Sequence, residues 1–180
     1  MTPQFIIGQI IGFGGIACMC LSYQFKKSRT LFMIQLIASL LFSIHFLLLG
    51  AYTGMILNGI EILREYLLLQ DDKPWANRKW VIWGMAAVMA LAGILTWEGW
   101  YSIFSVIGST AGTFFLWTRD PKKLRLGSLF VVSPGWMTYN ICVLSIAGIV
   151  TEALSMGSIL ISFIRYKGFN EPGDQAAAPQ

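Results

Sequence analysis

Polar and ionisable side chains are concentrated on one face of a single, otherwise apolar stretch. If that stretch is helical, Asn58, Glu61 and Glu65 lie within about 60° of one another, because successive residues turn by about 100°. Glu61 and Arg64 have the i, i+3 spacing at which opposite charges can pair on a helix. An amide such as that of Asn58 both donates and accepts hydrogen bonds. This face is therefore the first candidate binding site, for a polar solute.

Each of these residues also has a structural interpretation. Asn58 could form an interhelical hydrogen bond that only holds helices together. The pattern of Glu61 and Arg64 favours a structural ion pair, with the guanidinium extending toward the cytoplasm, over a site where Glu61 takes up and releases a proton. His45, the sole histidine, is either a packed, hydrogen-bonded side chain or a contact for substrate or protons.

A second candidate site follows a proline in a later apolar stretch. Pro134 removes a backbone donor and bends a helix, so with Gly135 beside it the pair predicts a hinge. Interrupted helices often border the binding sites of transporters. We therefore expect Gln35, from an earlier stretch, to meet the polar and aromatic residues after the hinge, for which simple packing is the alternative. Those residues are Trp136, Tyr139 and Asn140.

Other kinds of chemistry find little support. Cys18, Cys20 and Cys142 all lie in apolar stretches and predict neither a disulfide framework nor a zinc site. The glycine-rich run that begins at Gly12 matches a dinucleotide fingerprint formally, but no strand precedes it, so close helix packing is the better interpretation. No P-loop, nucleophile elbow or zinc-protease motif is present. We therefore expect no enzyme, no cofactor and no metal.

The elements that position these residues follow from the low charge of the chain. Of its 180 residues 56% are hydrophobic and 12% charged, whereas roughly a quarter are charged in soluble domains. A soluble fold could not bury that much apolar surface, so the composition predicts an all-α membrane protein. Each crossing of a bilayer needs about 20 apolar residues. Seven segments fit, near residues 5–23, 30–49, 51–69, 80–96, 100–118, 126–145 and 149–166.

Two turns between these segments are hard to see in the sequence. The apolar run 30–69 is too long for one crossing, so it must fold back. Gly50, with Thr53 and Gly54, supplies the predicted turn residues there. Gly148 and Thr151 are predicted to do the same between the last two segments. Thr151 with Glu152 also resembles an ordinary helix start.

The distribution of cations predicts the orientation. Cytoplasmic loops are enriched in Lys and Arg, and seven crossings bring every cation to one side. The first segment has no preceding positive charge, so it should remain attached and enter with its N-terminus outside. This topology accounts for the net charge of +4 without a nucleic-acid partner. The four clusters are Lys26, Lys27 and Arg29; Arg64, Lys73, Arg78 and Lys79; Arg119, Lys122, Lys123 and Arg125; and Arg165 and Lys167.

Short identities recur at a nearly constant spacing. Lys26-Lys27-x-Arg29 returns as Lys122-Lys123-x-Arg125 at a spacing of 96, and Gly50-x-x-Thr53 returns as Gly148-x-x-Thr151 at 98. The repeats coincide with helices one to three and five to seven. We therefore predict two parallel three-helix repeats joined by a linker helix, an arrangement that forms a binding site at the repeat interface. The units are residues 1–69, the loop and linker 70–99, residues 100–167 and a disordered tail 168–180.

Three motifs are distinctive: Leu21-Ser22-Tyr23-Gln24-x-Lys26-Lys27-x-Arg29, the run from His45 to Gly54 followed by Asn58, and Ser133-Pro134-x-Trp136-x-x-Tyr139-Asn140. On these motifs the chain resembles the YgjV family of bacterial inner-membrane proteins over nearly its whole length, and more distantly the PnuC, SWEET and PQ-loop transporters. The resemblance implies a location in the bacterial inner membrane, and the transporters imply facilitated transport of a small solute. Asn58 matches the third-helix asparagine of carriers with this layout, whereas the seventh-helix counterpart falls near Ser155, Met156 or Ser158.

The leading hypothesis is thus a small-solute transporter, a facilitator, with a midplane site between the two repeats. The alternative is a membrane-embedded sensor or scaffold whose polar residues only hold helices together. Expected partners are the lipid bilayer and a small polar solute, and a homo-oligomer is compatible with the sequence.

Overall fold

The computed structural model describes residues 2–22, 28–70, 72–118 and 120–165. The predicted tail, 168–180, lies outside the described residues. The same is true of Lys26 and Lys27 in the first predicted cation cluster, and of Arg119 and Lys167 in later ones.

The described residues form seven helical rods and contain no strand, which confirms the predicted all-α class. The sixth rod runs without a break through α6, a π-helical turn at Ser128–Val132 and α7. The first five rods begin and end within a few residues of their predicted limits, because long apolar runs bounded by polar residues define them. The helices are α1 Pro3–Ser22, α2 Ser28–Leu49, α3 Tyr52–Leu68, α4 Lys79–Leu95, α5 Ser102–Thr118, α6 Pro121–Gly127, α7 Ser133–Cys142 and α8 Ile146–Arg165.

Helix length and composition identify one span of full membrane-crossing length in the described part of the chain. This span is Pro3–Leu21, with a mean hydropathy of 1.8. Shorter apolar helical stretches accompany it, at Met33–Leu49, Lys79–Leu95, Ser102–Thr118 and Ile146–Ile161.

The turn between α2 and α3 lies where the sequence predicts it. Gly50 has a φ of 75°, a left-handed conformation that glycine adopts without steric penalty. The Ala51 amide donates back to the Phe46 carbonyl at 2.9 Å and closes the end of α2. Thr53 and Gly54, which were candidate turn residues, already belong to α3.

The turn between α7 and α8 is not at the predicted position. Leu144 occupies the left-handed region, with a φ of 56°, and Ser145 follows it. The Ser145 Oγ accepts from the Gly148 amide at 3.0 Å, which is the hydrogen bond of a helix N-cap. The predictions that Gly148 and Thr151 form the turn, and that Thr151 begins a helix, are therefore wrong, because both residues lie inside α8.

The helices pack in a regular order. α2 lies between α1 and α3, and α7 lies between α5 and α8. α3 also contacts α5, α1 contacts α8, and α4 packs on α3 and α5. We call the end of the bundle that holds the start of α1 and the turns after α2, α4 and α7 the upper end, and the opposite end the lower end.

Several glycines allow these helices to approach closely. A Cβ on Gly8 would lie 2.7 Å from a methyl carbon of Leu49, and one on Gly12 would lie 2.6 Å from Ala147. A Cβ on Gly108 would lie 3.2 Å from the Trp136 ring. The prediction that the glycine-rich run from Gly12 serves close helix packing is confirmed, and Gly108 on α5 makes a contact of the same kind.

Candidate functional site

A cavity of about 170 Å³ opens in the lower half of the bundle, among α1, α2, α3 and α5. Met19, Phe42 and Leu116 form part of its apolar wall. All the polar residues of the lining belong to α2 and α3. These polar residues are Gln35, Ser39, Asn58, Glu61, Arg64 and Glu65.

An ion-pair cluster lies against this cavity. The Arg64 Nη1 lies 3.4 Å from Glu61 Oε1, and its Nη2 lies 3.7 Å from Glu65 Oε1. Arg64 is only 7% exposed. The predicted pairing with Glu61 is confirmed, but the expected extension of Arg64 toward the cytoplasm is wrong, because two carboxylates hold the guanidinium inside the bundle.

Hydroxyl groups from neighbouring helices bind the carboxylates. The Ser39 Oγ of α2 lies 3.1 and 3.0 Å from the two oxygens of Glu65, and the Ser109 Oγ of α5 donates to Glu61 Oε1 at 3.2 Å. On α8, Glu152 lies near the Ser133 hydroxyl and within electrostatic range of Glu61. The hydroxyl–carboxylate bonds therefore connect α3 with both α2 and α5, three helical rods in all.

Asn58 lies at the upper boundary of the cavity and is 6% exposed. Its Nδ2 donates to the Gly54 carbonyl one turn earlier at 2.9 Å. This bond stays within α3 and fixes the side-chain rotamer, so the amide is held at the cavity wall.

Tyr139 lies at the upper end, away from the cavity. Its hydroxyl donates to Glu98 Oε2 at 3.0 Å and accepts from the Gly54 amide at 2.7 Å. The other oxygen of Glu98 accepts from the Tyr52 amide, the first residue of α3. A carboxylate at a helix N-terminus is stabilised by the unpaired amides and by the helix dipole. Glu98, in the turn between α4 and α5, thus ties α3 and α7 together.

Trp136 belongs to an aromatic core below this link. Its ring stacks on Phe46 with centroids 5.9 Å apart and meets Tyr139 edge-on at 5.8 Å. Trp136 is 7% exposed and Phe46 is 2% exposed. These contacts match the packing alternative for the two aromatics.

His45 bridges three elements at the upper end. Its Nδ1 lies 2.7 Å from the Gly8 carbonyl and its Nε2 lies 2.7 Å from Ser145 Oγ. Because a carbonyl can only accept, Nδ1 carries the proton, and Nε2 of the neutral ring accepts from the serine hydroxyl. Nearby, Gln9 Nε2 donates to the Leu144 carbonyl at 2.9 Å. Both side chains fasten α1 to the turn before α8.

Asn140 is 2% exposed and packs against Gly148. A Cβ on Gly148 would lie 2.2 Å from Asn140 Oδ1, so only glycine leaves room for this amide. Among the described residues, no hydrogen-bond partner reaches Oδ1. Asn140 is thus a buried packing residue beside α8, outside the cavity lining.

The predicted hinge lies at an irregular point of the sixth rod. Pro134 is in the first turn of α7, directly after the π-helical turn Ser128–Val132. Gly135 packs on α5, where a Cβ would lie 2.6 Å from the Phe104 carbonyl oxygen. Proline and the π-turn are both recognised causes of helix bending.

The structure therefore divides the predicted site into two groups. Asn58, Gln35, Glu61 and Arg64 meet at the cavity, whereas the others lie at the upper end or around α7. Those others are His45, Trp136, Tyr139, Asn140, Pro134 and Gly135.

Sequence reasoning missed two kinds of residue. Ser39 and Ser109 bind the buried carboxylates, but single serines are common in apolar helices and carry no distinctive pattern. Glu98 is the one acidic residue between α4 and α5, and that isolation beside an aromatic turn could have singled it out. Within the described ranges no group of three or more His, Cys, Asp or Glu side chains could hold a metal ion.

Comparison with known proteins identifies a family for most of the chain. A family model described as "Imp-YgjV: Bacterial inner membrane protein" matches residues 6–169. This match confirms the resemblance found in the sequence motifs. No curated protein and no solved structure matches the chain, so the similarity to PnuC and SWEET transporters remains a prediction.

Proposed function

Because this chain belongs to the Imp-YgjV family of bacterial inner membrane proteins, we propose that it is a transporter for a small polar solute. The observation that carries the proposal is the cavity lined by Asn58, Gln35 and the Arg64 cluster. Ionisable groups inside a membrane are expensive, each about 2.5–3.5 kcal/mol on insertion scales, and they commonly mark solute or ion pathways. We therefore assign the cavity as the solute site of a facilitator.

The topology we propose has seven crossings, with the N-terminus periplasmic and the C-terminus cytoplasmic. The upper end then faces the periplasm and the cavity opens toward the cytoplasm. The placement of Lys73 and Arg78 between α3 and α4, of Lys79 at the first position of α4, and of Lys122 and Lys123 at the start of α6 supports this orientation.

Helix contacts support two parallel repeats. The order α1, α2, α3 in the first half is matched by α5, α7, α8 in the second. The contact of α3 with α5 is matched by the contact of α8 with α1, as a two-fold axis along the membrane normal would require. Parallel repeats of this kind place a solute site near their interface.

The upper end of the bundle is closed by hydrogen bonds, whereas the lower half holds the cavity. This difference supports a mechanism of alternating access. The upper end is held by the bonds of Tyr139 with Glu98 and of His45 with Ser145. We propose that these bonds close the periplasmic side in the present conformation and separate when the site turns outward. The bend at Pro134 would accommodate that movement.

No catalytic residue is assigned in this proposal. Both ring nitrogens of His45 are engaged in hydrogen bonds in a closely packed region, so the histidine has little capacity for acid–base chemistry. We accordingly propose a role without enzymatic activity.

Solute flux into proteoliposomes tests the function. Vesicles with the purified protein are shrunk by a pulse of each small polar solute, and re-swelling by light scattering measures its entry. Asn58→Ala should slow the re-swelling caused by the transported solute. Ser43→Ala is the matched control, because Ser43 bonds the Met55 carbonyl outside the cavity lining. If no solute enters faster than into empty vesicles, a sensor or scaffold role replaces transport.

A further inference from the structure

Acidic side chains outnumber basic ones around the described cavity. Its described lining holds two carboxylates, Glu61 and Glu65, and Arg64 as the single cation. Glu152, on α8, adds a further carboxylate close to Glu61. The serine hydroxyls that bind these groups supply hydrogen bonds but no charge. Buried carboxylates in excess of cations are neutralised either by protonation or by a bound cation, and a cation that enters the cavity would keep them ionised.

We propose that the transported solute carries an ammonium group, which binds beside Glu61 and Glu65. This inference rests on the function proposed above and specifies its substrate class. The available volume limits the size of that solute. A cavity of 150 Å³ accommodates benzene, so a cavity of about 170 Å³ admits a molecule of similar bulk.

A second feature of the cluster indicates an acceptor on the same solute. Among the described residues, no partner is found for the buried Nε–H of Arg64. An unpaired buried donor is unfavourable by about 1–3 kcal/mol, and an oxygen of the solute would satisfy it. Amino alcohols and small amino acids carry both the ammonium group and the oxygen, so they form the class that fits.

Ligand-induced stabilisation of the purified full chain tests the inference. Ethanolamine and glycine are the probes, and ethylene glycol is the neutral isostere of ethanolamine. A ligand that binds only the folded state raises the melting temperature with concentration, and the seven tryptophans provide the fluorescence signal. Sodium chloride at equal ionic strength controls for screening. We expect stabilisation by at least one ammonium probe and none by ethylene glycol.

Variants then connect binding to the carboxylates. Glu61→Gln should weaken binding of the active probe at least about tenfold, equivalent to about 1.4 kcal/mol. Glu61→Asp, which retains the charge, should restore most of the affinity. Asp72→Asn removes an exposed carboxylate outside the cavity and should bind as the wild type does. If Glu61→Gln does not fold, Glu65→Gln gives the same comparison.

The outcomes distinguish the two proposals. Equal stabilisation by ethylene glycol, no stabilisation by either ammonium probe, or unchanged affinity in the folded carboxylate variant would overturn the inference about substrate class. Vesicle entry of neutral solutes alone would overturn it as well, but would leave the transport function standing. Binding of ethanolamine or glycine without any flux would instead contradict transport and leave the binding site intact.

Discussion

Tyr139 and Glu98 are linked by a hydrogen bond of 3.0 Å that connects α7 to the turn between α4 and α5. The same hydroxyl accepts from the Gly54 amide in the first turn of α3, so one side chain holds three elements at the upper end. Because Tyr139 is 0% exposed, water cannot replace either bond in this conformation.

Tyr139→Phe should therefore lower the free energy of unfolding by about 1–3 kcal/mol, because it leaves the Gly54 amide without its partner. Thermal unfolding in detergent, followed by tryptophan fluorescence, measures the change. Tyr66→Phe removes a hydroxyl from a side chain that is 51% exposed and should have little effect. Equal losses in both variants would contradict the role of the Tyr139 link.

Gly135→Ala tests the contact between α5 and α7. The new methyl would lie 2.6 Å from the Phe104 carbonyl oxygen, a backbone atom that cannot move without displacing α5. We expect a loss of about 1–3 kcal/mol in the free energy of unfolding, as for other overpacked sites. Gly157→Ala is the control, because nothing lies within 4 Å of its Cβ position. A stable Gly135→Ala protein would indicate that the helices can separate at low cost.

Arg64→Gln removes the cation between Glu61 and Glu65. Breaking a buried ion pair on one side typically lowers stability by about 3–5 kcal/mol, because the remaining charges are left uncompensated. The double variant Arg64→Gln/Glu65→Gln should recover part of that loss. Arg78→Gln, on an exposed side chain, should unfold as the wild type does. The result would contradict the ion-pair interpretation if the double variant were the less stable of the two.

Ser145→Ala removes both the N-cap of α8 and the partner of His45 Nε2. Loss of an N-cap lowers stability by about 0.5–2 kcal/mol, and we expect the upper part of that range here because a buried histidine nitrogen also loses its partner. Ser158→Ala, on the exposed face of the same helix, provides the comparison. Thermal unfolding of the two variants side by side checks the difference, and equal melting temperatures would exclude the capping role.

The helix limits could be predicted because apolar length is a local property of the sequence, but one turn could not. Gly50 predicts the first turn, because glycine readily adopts the left-handed conformation found there. Leu144 adopts that conformation without any such preference. The glycine expected in the second turn, Gly148, serves instead to admit the Asn140 amide. Tertiary packing, which no local pattern reports, decides between these two uses of glycine.

From the sequence, only candidate residues on the same face of one helix could be predicted to lie together. Asn58, Glu61 and Arg64 share a face of α3, so their convergence follows from helical geometry alone. Trp136 and Asn140 lie on a different rod, and their height relative to the cavity depends on how α7 packs against α5 and α8. For this reason the sequence predicted neighbouring positions for two groups of residues that the fold separates.

The proposed orientation of the bundle predicts which cysteines an impermeant reagent can reach. Two single-cysteine variants are compared: Trp100→Cys, at an upper-end position that is 65% exposed, and Asp72→Cys, in the lower loop. Both are made after replacement of the native Cys18, Cys20 and Cys142. A membrane-impermeant maleimide should label the Trp100→Cys protein in spheroplasts and the Asp72→Cys protein only after lysis. The seven-crossing arrangement requires these two positions to lie on opposite sides of the membrane, so labelling of both in spheroplasts would rule it out. The reverse pattern would move the cavity to the periplasmic face, and the closed end would then be the cytoplasmic one.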